Sequence, residues 1–292
     1  MNFKPVTWET AAVLRSFADC LTGRECDPTP GCTLMWRDDC RMTYAVEQNS
    51  LYICLHDENG TPYYGLPVSR DHAAAVQLLA DFCRSDGILR FTTIPETHVD
   101  MFRRLFPDCE ITEQRDYADY LYRADALRTL AGRKLSGQRN QMSQFRRNHP
   151  DWIFEPVTAD NLPSVTSYLC RQFIENPELS EEKRAEDRMA LDMLQHLEQM
   201  PLQGGLLREG DTIYGFAFGE VLGDTLYVHI EKADRNEKGA YQMVVNQFSL
   251  MYAVNGVQWI NREDDSGDPG LRRAKEAYLP DRLLNKYQII IP

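Results

Sequence analysis

The acids best suited to chemistry stand at the ends of two apolar stretches in the last third of the chain. Glu231 closes the run TLYVHIE, and Glu263 and Asp264 follow the run VQWIN after one arginine. Acyl transfer to an amine or an alcohol needs a base for the nucleophile's proton and donors for the developing oxyanion. These carboxylates could take that proton, could bind the ammonium group of an aminoacyl substrate, or could form ion pairs with Arg262 or Lys275.

Two tyrosines extend this set of polar groups. Tyr278 follows Lys275 by three positions, which places both side chains on one face of a helix, and Tyr241 lies near the start of another helix-like pattern. A phenol could protonate a leaving group or orient an acceptor, whereas most tyrosines with an apolar ring and a polar tip are packing residues. His229 alternates within an apolar strand pattern, which favours a structural role for it.

A basic segment without any acid, residues 128–149, contains six Arg or Lys residues. On a helix, Arg139 and Arg146 fall near the same face, with Asn140 beside Arg139 and Lys134 just before it. This pattern predicts a contact to phosphate or to an RNA backbone, including that of tRNA. The alternative is a solvated helix face or a connector that docks onto acidic neighbours.

The composition is that of an ordinary globular protein: 292 residues, of which 43% are hydrophobic, suit one large or two modest domains. The net charge of −12 argues against a general nucleic-acid binder with a wide basic surface. Because no run of about 18 apolar residues and no signal-peptide pattern is present, we expect no membrane span and a cytoplasmic location. The eight cysteines form no C-x-x-C pair, so we expect reduced, partly buried thiols and neither a metal site nor a disulfide framework.

A short internal repeat suggests two similar halves. The segments FKPVT at residues 3–7 and FEPVT at residues 154–158 are identical at four of five positions, and similar elements follow each copy. In the second half the apolar periodicity predicts a strand, two helices, three antiparallel strands, a helix, a strand, a charged helix and a closing strand. Apart from that charged helix, the elements span, in order, residues 152–157, 160–174, 180–199, 204–209, 212–221, 225–233, 239–253, 257–261 and 283–291.

The first half predicts a similar order of elements, with a less clear pattern. Helices are predicted at 8–21, 70–84 and 95–106, β-like pieces at 33–36, 42–47, 51–55 and 62–67, a strand at 88–94 and a hairpin at 109–123. This order of elements is that of the GNAT acyltransferase fold. The sequence therefore predicts an α+β protein with two tandem GNAT-like domains, each a mixed, mainly antiparallel sheet flanked by helices. The predicted ranges are an N-terminal domain at 1–125, a basic connecting helical segment at 126–150, and a C-terminal domain with the active cleft at 151–292.

Three segments together resemble a known family. Residues 116–147, 229–248 and 260–287 are similar to the soluble family related to the C-terminal catalytic domain of phosphatidylglycerol lysyltransferase. The resemblance covers most of residues 115–292 and implies a tandem GNAT fold. It also implies a link to enzymes that move an aminoacyl group from aminoacyl-tRNA to a lipid or peptide acceptor. Because the lipid-modifying members carry a large membrane-spanning part that this sequence lacks, we expect an acceptor other than a membrane phospholipid.

The segment DRNEKGAYQMV lies where GNAT acetyltransferases carry R/Q-x-x-G-x-G/A, whose backbone amides bind the pyrophosphate of coenzyme A. Aligned from Arg235, this sequence has Lys238 where the first glycine belongs and Ala240 at the last position. A side chain at that glycine would crowd the approach of the pyrophosphate to the backbone, which disfavours acetyl-CoA. Arg235 and Lys238 could instead contact phosphate through their side chains.

We therefore expect an acyltransferase that uses aminoacyl-tRNA or acyl-CoA as a co-substrate, without a tightly bound cofactor, on a small-molecule or peptide acceptor. The predicted catalytic residues are Glu231, Glu263, Asp264 and Tyr278. The predicted substrate-binding residues are Arg235, Lys238, Tyr241, Arg262 and Lys275, and the predicted phosphate or RNA contacts are Lys134, Arg139, Asn140 and Arg146. The alternative is a non-catalytic module that binds a small molecule or a peptide on the same scaffold. A cleft filled by side chains would favour an interaction role instead.

Overall fold

The computed structural model describes residues 1–84, 87–177 and 179–292, which form two compact units. Unit 1 consists of Met1–Tyr120, Glu263–Pro269 and Leu283–Pro292, and unit 2 consists of Leu121–Arg262 and Gly270–Arg282. Each unit is therefore built from separate pieces of chain, whereas the predicted ranges 1–125, 126–150 and 151–292 are continuous. The basic segment predicted as a connector belongs entirely to unit 2.

The regular elements of the first half of the chain begin with a two-residue strand. In order they are β1 Lys4–Pro5, α1 Ala11–Ser16, α2 Pro30–Trp36, β2 Thr43–Glu47, β3 Ser50–His56, β4 Pro62–Tyr64, α3 His72–Cys83, β5 Leu89–Pro95, α4 Glu96–Leu105, β6 Glu110–Glu113, β7 Asp119–Arg123, α5 Ala124–Thr129 and α6 Ser136–Asn148. Single 3-10 turns lie at Trp8–Thr10, Ala18–Cys20, Arg115–Tyr117 and Arg133–Leu135.

The second half contains the longest strands of the protein. In order its elements are β8 Ile153–Pro156, α7 Leu162–Leu169, α8 Glu181–Gln195, β9 Gln203–Glu209, β10 Thr212–Leu222, β11 Thr225–Ala233, α9 Ala240–Tyr252, β12 Trp259–Asn261, α10 Pro269–Glu276, β13 Arg282–Leu284 and β14 Lys286–Ile291. The π-helical turn Cys170–Ile174 extends α7, and Ser180 caps α8 through its side chain.

The sheet of unit 1 has the strand order β1-β2-β3-β4-β5-β14-β6. Only β4 and β5 are parallel, and the other neighbours are antiparallel. The C-terminal strand β14 lies between β5 and β6, where Ile289 packs into a core that includes Phe91 and Phe102. The prediction that this strand closes the second half is therefore wrong, because its apolar side chains complete the first sheet.

The sheet of unit 2 has the order β13-β7-β12-β11-β10-β9-β8. Strands β11 and β12 are parallel, while β8 to β11 are antiparallel neighbours and β7 pairs antiparallel with β12. The predicted hairpin at 109–123 is thus wrong, since β6 belongs to the sheet of unit 1 and β7 to that of unit 2. Two mixed, mainly antiparallel sheets with flanking helices confirm the predicted tandem GNAT-like α+β fold.

The β-like segment predicted at 33–36 is part of helix α2. Thr29 accepts a hydrogen bond from the backbone N–H of Cys32 through its side chain, and Pro30 occupies the first helical position. Both residues are strong helix-start signals. The apolar run from Cys32 to Trp36 reads as a strand only when this start is overlooked, because a short apolar run fits a buried helix equally well.

Acid is expected to weaken the contact between α3 and α4 through His98. The rings of His72 and His98 lie 4.6 Å apart, and burial, with a smaller effect of the His72 charge, lowers the pKa of His98 to about 4. Because an unfolded histidine titrates near about 6.5, the neutral ring contributes stability above that pH, and this contribution is lost as the pH falls towards 4. For a half-buried ring we expect a loss of about 1–2 kcal/mol over this interval.

Urea unfolding of the wild type and of His98→Gln at several pH values between 7 and 4 measures this loss. The variant should lose less stability than the wild type as the pH falls, because glutamine takes up no proton. His72→Gln should raise the pKa of His98, as followed by NMR, since it removes the neighbouring charge. If the wild type and His98→Gln lost the same free energy of unfolding between pH 7 and pH 4, the role assigned to His98 would be contradicted.

Candidate functional site

An ion pair between Arg262 and Glu231 lies at the centre of the candidate site in unit 2. Arg262 donates from Nη2 to Glu231 Oε1 at 2.6 Å and from Nε to Oε2 at 3.2 Å, so both carboxylate oxygens accept from one guanidinium. Both side chains are largely buried, with 9% of Arg262 and 14% of Glu231 exposed. Such a two-point pair fixes the orientation of both groups more firmly than a single contact does.

The pair stands where two parallel strands cease to be neighbours. The ladder between β11 and β12 contains three residue pairs and ends with Tyr227 opposite Asn261. Beyond it, β11 continues to Ala233, whereas β12 stops and Arg262 follows at once. Glu231 lies on the part of β11 beyond the ladder and Arg262 directly follows β12, so the two side chains pair just past the last ladder residues.

Two tyrosine rings enclose the guanidinium of Arg262. Its Cζ lies 4.8 Å from the centre of the Tyr278 ring and 5.7 Å from that of Tyr122. Burial opposes the charge of Arg262, but the attraction of Glu231 and of the two tyrosines outweighs it and raises the pKa of Arg262. Burial likewise raises the pKa of Tyr278. At neutral pH the site therefore holds a permanent cation and a neutral phenol.

One donor of this guanidinium has no partner among the residues that the structure describes. Arg262 Nη1 is buried, and no acceptor among residues 1–84, 87–177 and 179–292 lies within hydrogen-bonding distance and geometry of it. A buried polar group without a partner costs about 1–3 kcal/mol. Such a group in a native fold calls for an explanation, and an oxygen atom supplied by a ligand is one.

Lys275 connects helix α10 to this site. Its Nζ donates to the backbone carbonyl of Arg262 at 2.6 Å, and its own carbonyl accepts from the Tyr122 hydroxyl at 2.7 Å. The side chain is buried. Lys275 thus holds the end of β12 and α10 together, and its predicted contact with substrate stays a prediction.

Tyr241 and the residues of the degenerate pyrophosphate motif lie around the start of α9. Tyr241 is half-buried, and burial raises its pKa, whereas Arg235 and Lys238 are exposed. Gly239 precedes the helix with a φ of 95°, and a Cβ there would lie 2.3 Å from the Gln141 carbonyl oxygen. Gly239 is therefore required for the close packing of α9 on α6.

The basic segment forms α6 and the turn before it. Arg139 donates from Nη1 to the carbonyls of Leu130 and of Gly132, the latter at 2.8 Å, so it satisfies the C-terminal end of α5. Its predicted partner on the phosphate-facing stripe, Arg146, is exposed and lies over the Trp152 ring. Lys134 and Asn140 are exposed. The structure gives Arg139 a helix-capping role, and it leaves Lys134, Asn140 and Arg146 accessible to solvent.

The other two predicted acids belong to unit 1. Asp264 Oδ1 accepts from the backbone N–H and the hydroxyl of Ser266 at 2.9 and 3.0 Å, which stabilises the turn into α10. Glu263 has a φ of 57°, an unusual conformation for a residue other than glycine, and its carboxylate lies near the thiols of Cys26 and Cys32. Their predicted roles in substrate contact stay predictions.

Comparison with known proteins assigns the chain to a family. The family described as phosphatidylglycerol lysyltransferase, C-terminal, matches residues 21–290. The chain belongs to this family. The family relationship points to an acyltransferase.

Individual proteins are also similar to this chain. A conserved protein of unknown function from Bacteroides thetaiotaomicron VPI-5482 has a crystal structure that is similar over 100% of both chains, with 28% identity and a TM-score of 0.89. The structure of L-PGS from Bacillus licheniformis is similar over 95% of this chain and 90% of that chain, with 13% identity and a TM-score of 0.67, which shows a shared fold. An uncharacterised protein of Mycoplasmoides gallisepticum is 23% identical over 190 residues, or 62% of this chain, and the match spans 58% of that relative's length.

The sequence pattern does not identify Tyr122 as a residue of the site. Tyr122 packs on the guanidinium of Arg262, and its signal in the sequence is the alternation in DYLYR, a segment that the apolar pattern predicts as part of a hairpin. His229 pairs with buried Glu220 at 3.0 Å, in keeping with the structural role expected for it.

Within the described part of the chain, no helix combines the length and the apolar character needed to cross a bilayer.

Proposed function

We propose that this chain transfers an aminoacyl group from aminoacyl-tRNA to the amine or hydroxyl group of a small-molecule or peptide acceptor, at the Arg262–Glu231 site of unit 2. The observation that carries the proposal is the buried Nη1 of Arg262, which lacks an acceptor among the described residues beside the end of the β11–β12 ladder. In a GNAT fold the acyl donor lies where the fourth and fifth strands part, and β11 and β12 correspond to those strands. The use of aminoacyl-tRNA implies a cytoplasmic location.

The form of the site favours aminoacyl-tRNA over acyl-CoA as the donor. The paired side chains of Arg262 and Glu231 lie beyond the end of the β11–β12 ladder, where a GNAT acetyltransferase would accommodate the arm of coenzyme A. Lys238 stands at the first glycine of the pyrophosphate motif, where a side chain impedes backbone approach. A donor whose acyl group is attached to a ribose, as in aminoacyl-tRNA, requires neither space for the coenzyme A arm nor a glycine at position 238.

The guanidinium of Arg262 is suited to stabilise the charge that develops during transfer. The nucleophile attacks the ester carbonyl carbon, the carbonyl oxygen gains negative charge, and the ester bond to the ribose then breaks. A fixed cationic donor in a water-poor site stabilises such an oxyanion strongly, because the donor is already oriented before reaction. In this proposal, Nη1 of Arg262 donates to that oxygen.

In this proposal the protons are transferred by Tyr278 and by solvent. Both oxygens of Glu231 accept from Arg262, which makes this carboxylate a weak base, so its proposed role is to orient the guanidinium. Tyr278 remains protonated at neutral pH because burial raises its pKa, so it is the candidate donor of a proton to the ribose oxygen that leaves. The proton of the nucleophile passes to solvent, solvent returns a proton to Tyr278, and the nucleophile gains the acyl group.

The proposed contact with tRNA involves the exposed part of the basic segment. Lys134, Asn140 and Arg146 are exposed in the same unit as the site. Because the whole chain carries a charge of −12, binding of a polyanion needs such a local patch. Arg139 is omitted from the proposed contact, since its guanidinium is engaged by the carbonyls at the end of α5.

A second candidate function is that of a non-catalytic binding module. It is favoured by the burial of Arg262, Lys275 and Tyr278, since side chains rather than an open cleft surround the charged groups. In that case a ligand would bind through the same guanidinium without being converted.

The test uses the purified protein with bulk tRNA charged with a mixture of radiolabelled amino acids, and a mixture of dipeptides as acceptors. We expect retention of charged tRNA on filters and a catalysed loss of label from tRNA into the peptide fraction. Arg262→Lys should reduce the transfer rate about 100-fold, because one oriented donor is lost. The matched control is Arg208→Lys, which alters a similar two-point pair with Glu155 on β8 and β9.

Three results would contradict the proposal for a protein shown to be folded by circular dichroism. These are the absence of binding and transfer with aminoacyl-tRNA, preferential turnover of acetyl-CoA, and equal activity of Arg262→Lys and the wild type. Binding of an acceptor peptide without any transfer would favour the binding module instead.

A further inference from the structure

Three side chains with metal-binding atoms converge in unit 1, and none of them has a role in the proposed transfer. One sulfur each of Cys26 and Cys32 and one carboxylate oxygen of Glu263 all lie within 4.8 Å of one another. Both cysteines are buried and Glu263 is half-buried. In a tetrahedral zinc site, Zn–S bonds of about 2.3 Å separate two sulfurs by about 3.8 Å, so small side-chain movements would complete the geometry.

The local fold explains how two cysteines separated by five residues meet. The hydroxyl of Thr29 donates to the carbonyl of Cys26 at 2.7 Å, and the N–H of Thr29 donates to the same oxygen at 2.9 Å, which turns the chain. Helix α2 then begins, and Cys32 lies in its first turn. A turn followed by a helix thus brings Cys32 back to Cys26 without a C-x-x-C motif.

The third group arrives from a distant part of the sequence. Glu263 follows strand β12 in a left-handed backbone conformation, and its carbonyl accepts from the N–H of Tyr120 at 3.0 Å. A residue with a side chain adopts this conformation at some energetic cost. In it, the carboxylate of Glu263 is directed towards the two thiols.

The charges around the cluster favour an added cation. Asp27 and Asp119 pair with the Lys286 ammonium at 2.5 and 2.6 Å, and that ammonium lies 3.7 Å from Cys26 Sγ. With Glu263, these named groups have three carboxylates and one ammonium, a formal balance of −2. Cys26 also donates its S–H to Asp119 Oδ1 at 3.3 Å, so this carboxylate lies beside the sulfur and adds to the negative charge that a bound cation would offset.

We propose that Cys26, Cys32 and Glu263 form a binding site for a borderline-soft divalent cation of the Zn²⁺ class. Two sulfurs and one carboxylate oxygen are ligands that zinc accepts, and three protein ligands leave a fourth position for water or another ligand. Harder cations such as Mg²⁺ prefer sites made of oxygen atoms and are not expected to compete.

Metal binding at this site must displace protons. The hydrogen bond between the two sulfurs, together with burial, raises the pKa of Cys26. For Cys32 that bond lowers the pKa, but burial together with the charges of Glu263 and Asp27 outweighs it and raises the pKa to about 12. Both thiols are therefore protonated in the metal-free protein at neutral pH. Since metals bind thiolates, we expect about two protons to be released per ion and an affinity that falls steeply with decreasing pH.

The experiment is a titration of the whole protein with Co²⁺, used as a spectroscopic probe, and then with Zn²⁺ in competition, under a phosphine reductant. About one Co²⁺ per chain should bind with a thiolate-to-cobalt charge-transfer band that Zn²⁺ abolishes. Cys32→Ser should remove most of that band, and Glu263→Gln should weaken binding at least about tenfold. The matched control is Cys54→Ser, which alters a buried cysteine elsewhere in the same unit.

The proposal would be overturned by the absence of a charge-transfer band in the wild type, or by an undiminished band in Cys32→Ser. An equal loss of the band in Cys54→Ser would also overturn it, because the effect would then not depend on the cluster. Circular dichroism of each variant ensures that only folded proteins are compared, and proton release in weak buffer tests the thiolate ligands in the unmodified protein.

Discussion

Replacing Lys286 by methionine is expected to lower the free energy of unfolding by about 3–5 kcal/mol, the usual cost of leaving a buried charge without its partner. The Lys286 and Asp119 side chains are both fully buried, and Asp27 provides the second carboxylate. Methionine fills a similar volume but leaves these two carboxylates without their shared ammonium. The measurement is urea unfolding at pH 7, followed by circular dichroism.

The deficit in the free energy of unfolding of Lys286→Met should follow the titration of Lys286. Burial opposes the charge of Lys286, but Asp119 and Asp27 outweigh it and raise the pKa of Lys286 well above its usual value. A raised lysine pKa means that the stabilisation is present below the unfolded pKa of about 10.4 and is lost only as the pH rises through the folded pKa. The deficit should therefore be constant between pH 6 and pH 9.

The matched control is Arg103→Met in the same unit. Arg103 pairs with Asp100 at 2.9 Å, but the two side chains are 62% and 76% exposed, so its loss should cost less than about 1 kcal/mol. Asp119→Asn combined with Lys286→Met should recover part of the deficit, since one buried charge is removed with its partner. Equal effects of Lys286→Met and Arg103→Met would contradict this account.

The periodic elements of unit 2 follow the sequence closely because each has enough apolar residues to show its period. Helix α9 and strands β10 and β11 lie within about two residues of their predicted ranges. The assignment of β14 to a sheet could not be predicted in the same way. An apolar strand pattern such as QIII shows that a strand is buried, and it does not show which neighbour buries it.

The candidate site was predictable in its residue types and only partly in its arrangement. The acid and the arginine that bracket the end of the ladder, Glu231 and Arg262, follow from two strand ends in one sheet. The separation of Glu263 from Arg262 into another compact unit does not follow, because adjacent residues are expected to share surroundings. The cluster of Cys26, Cys32 and Glu263 was missed because its spacing matches no local motif, and only the tertiary fold brings it together.

Replacing Arg262 by methionine is expected to lower the free energy of unfolding by about 3–5 kcal/mol, because Glu231 remains buried without its partner. The double variant Glu231→Gln, Arg262→Met should cost less than the sum of the two single variants, since neither charge then remains unpaired. The matched control Arg208→Met removes a similar fork from Glu155, but with 31% and 29% of the two side chains exposed. It should cost about 1 kcal/mol or less, and a deficit equal to that of Arg262→Met would contradict the argument.

Arg262→Lys separates the structural role of this residue from its proposed role in transfer. An ammonium keeps a charge beside Glu231, so the free energy of unfolding should fall by only about 1.5–3 kcal/mol, the value of a lost hydrogen bond to a charged group. Lysine cannot reproduce the planar fork or the buried Nη1, so the transfer rate should fall about 100-fold. If the rate instead falls only in proportion to the folded fraction, Arg262 acts on stability alone. A folded Arg262→Lys protein with little transfer would assign the unpaired donor to the reaction.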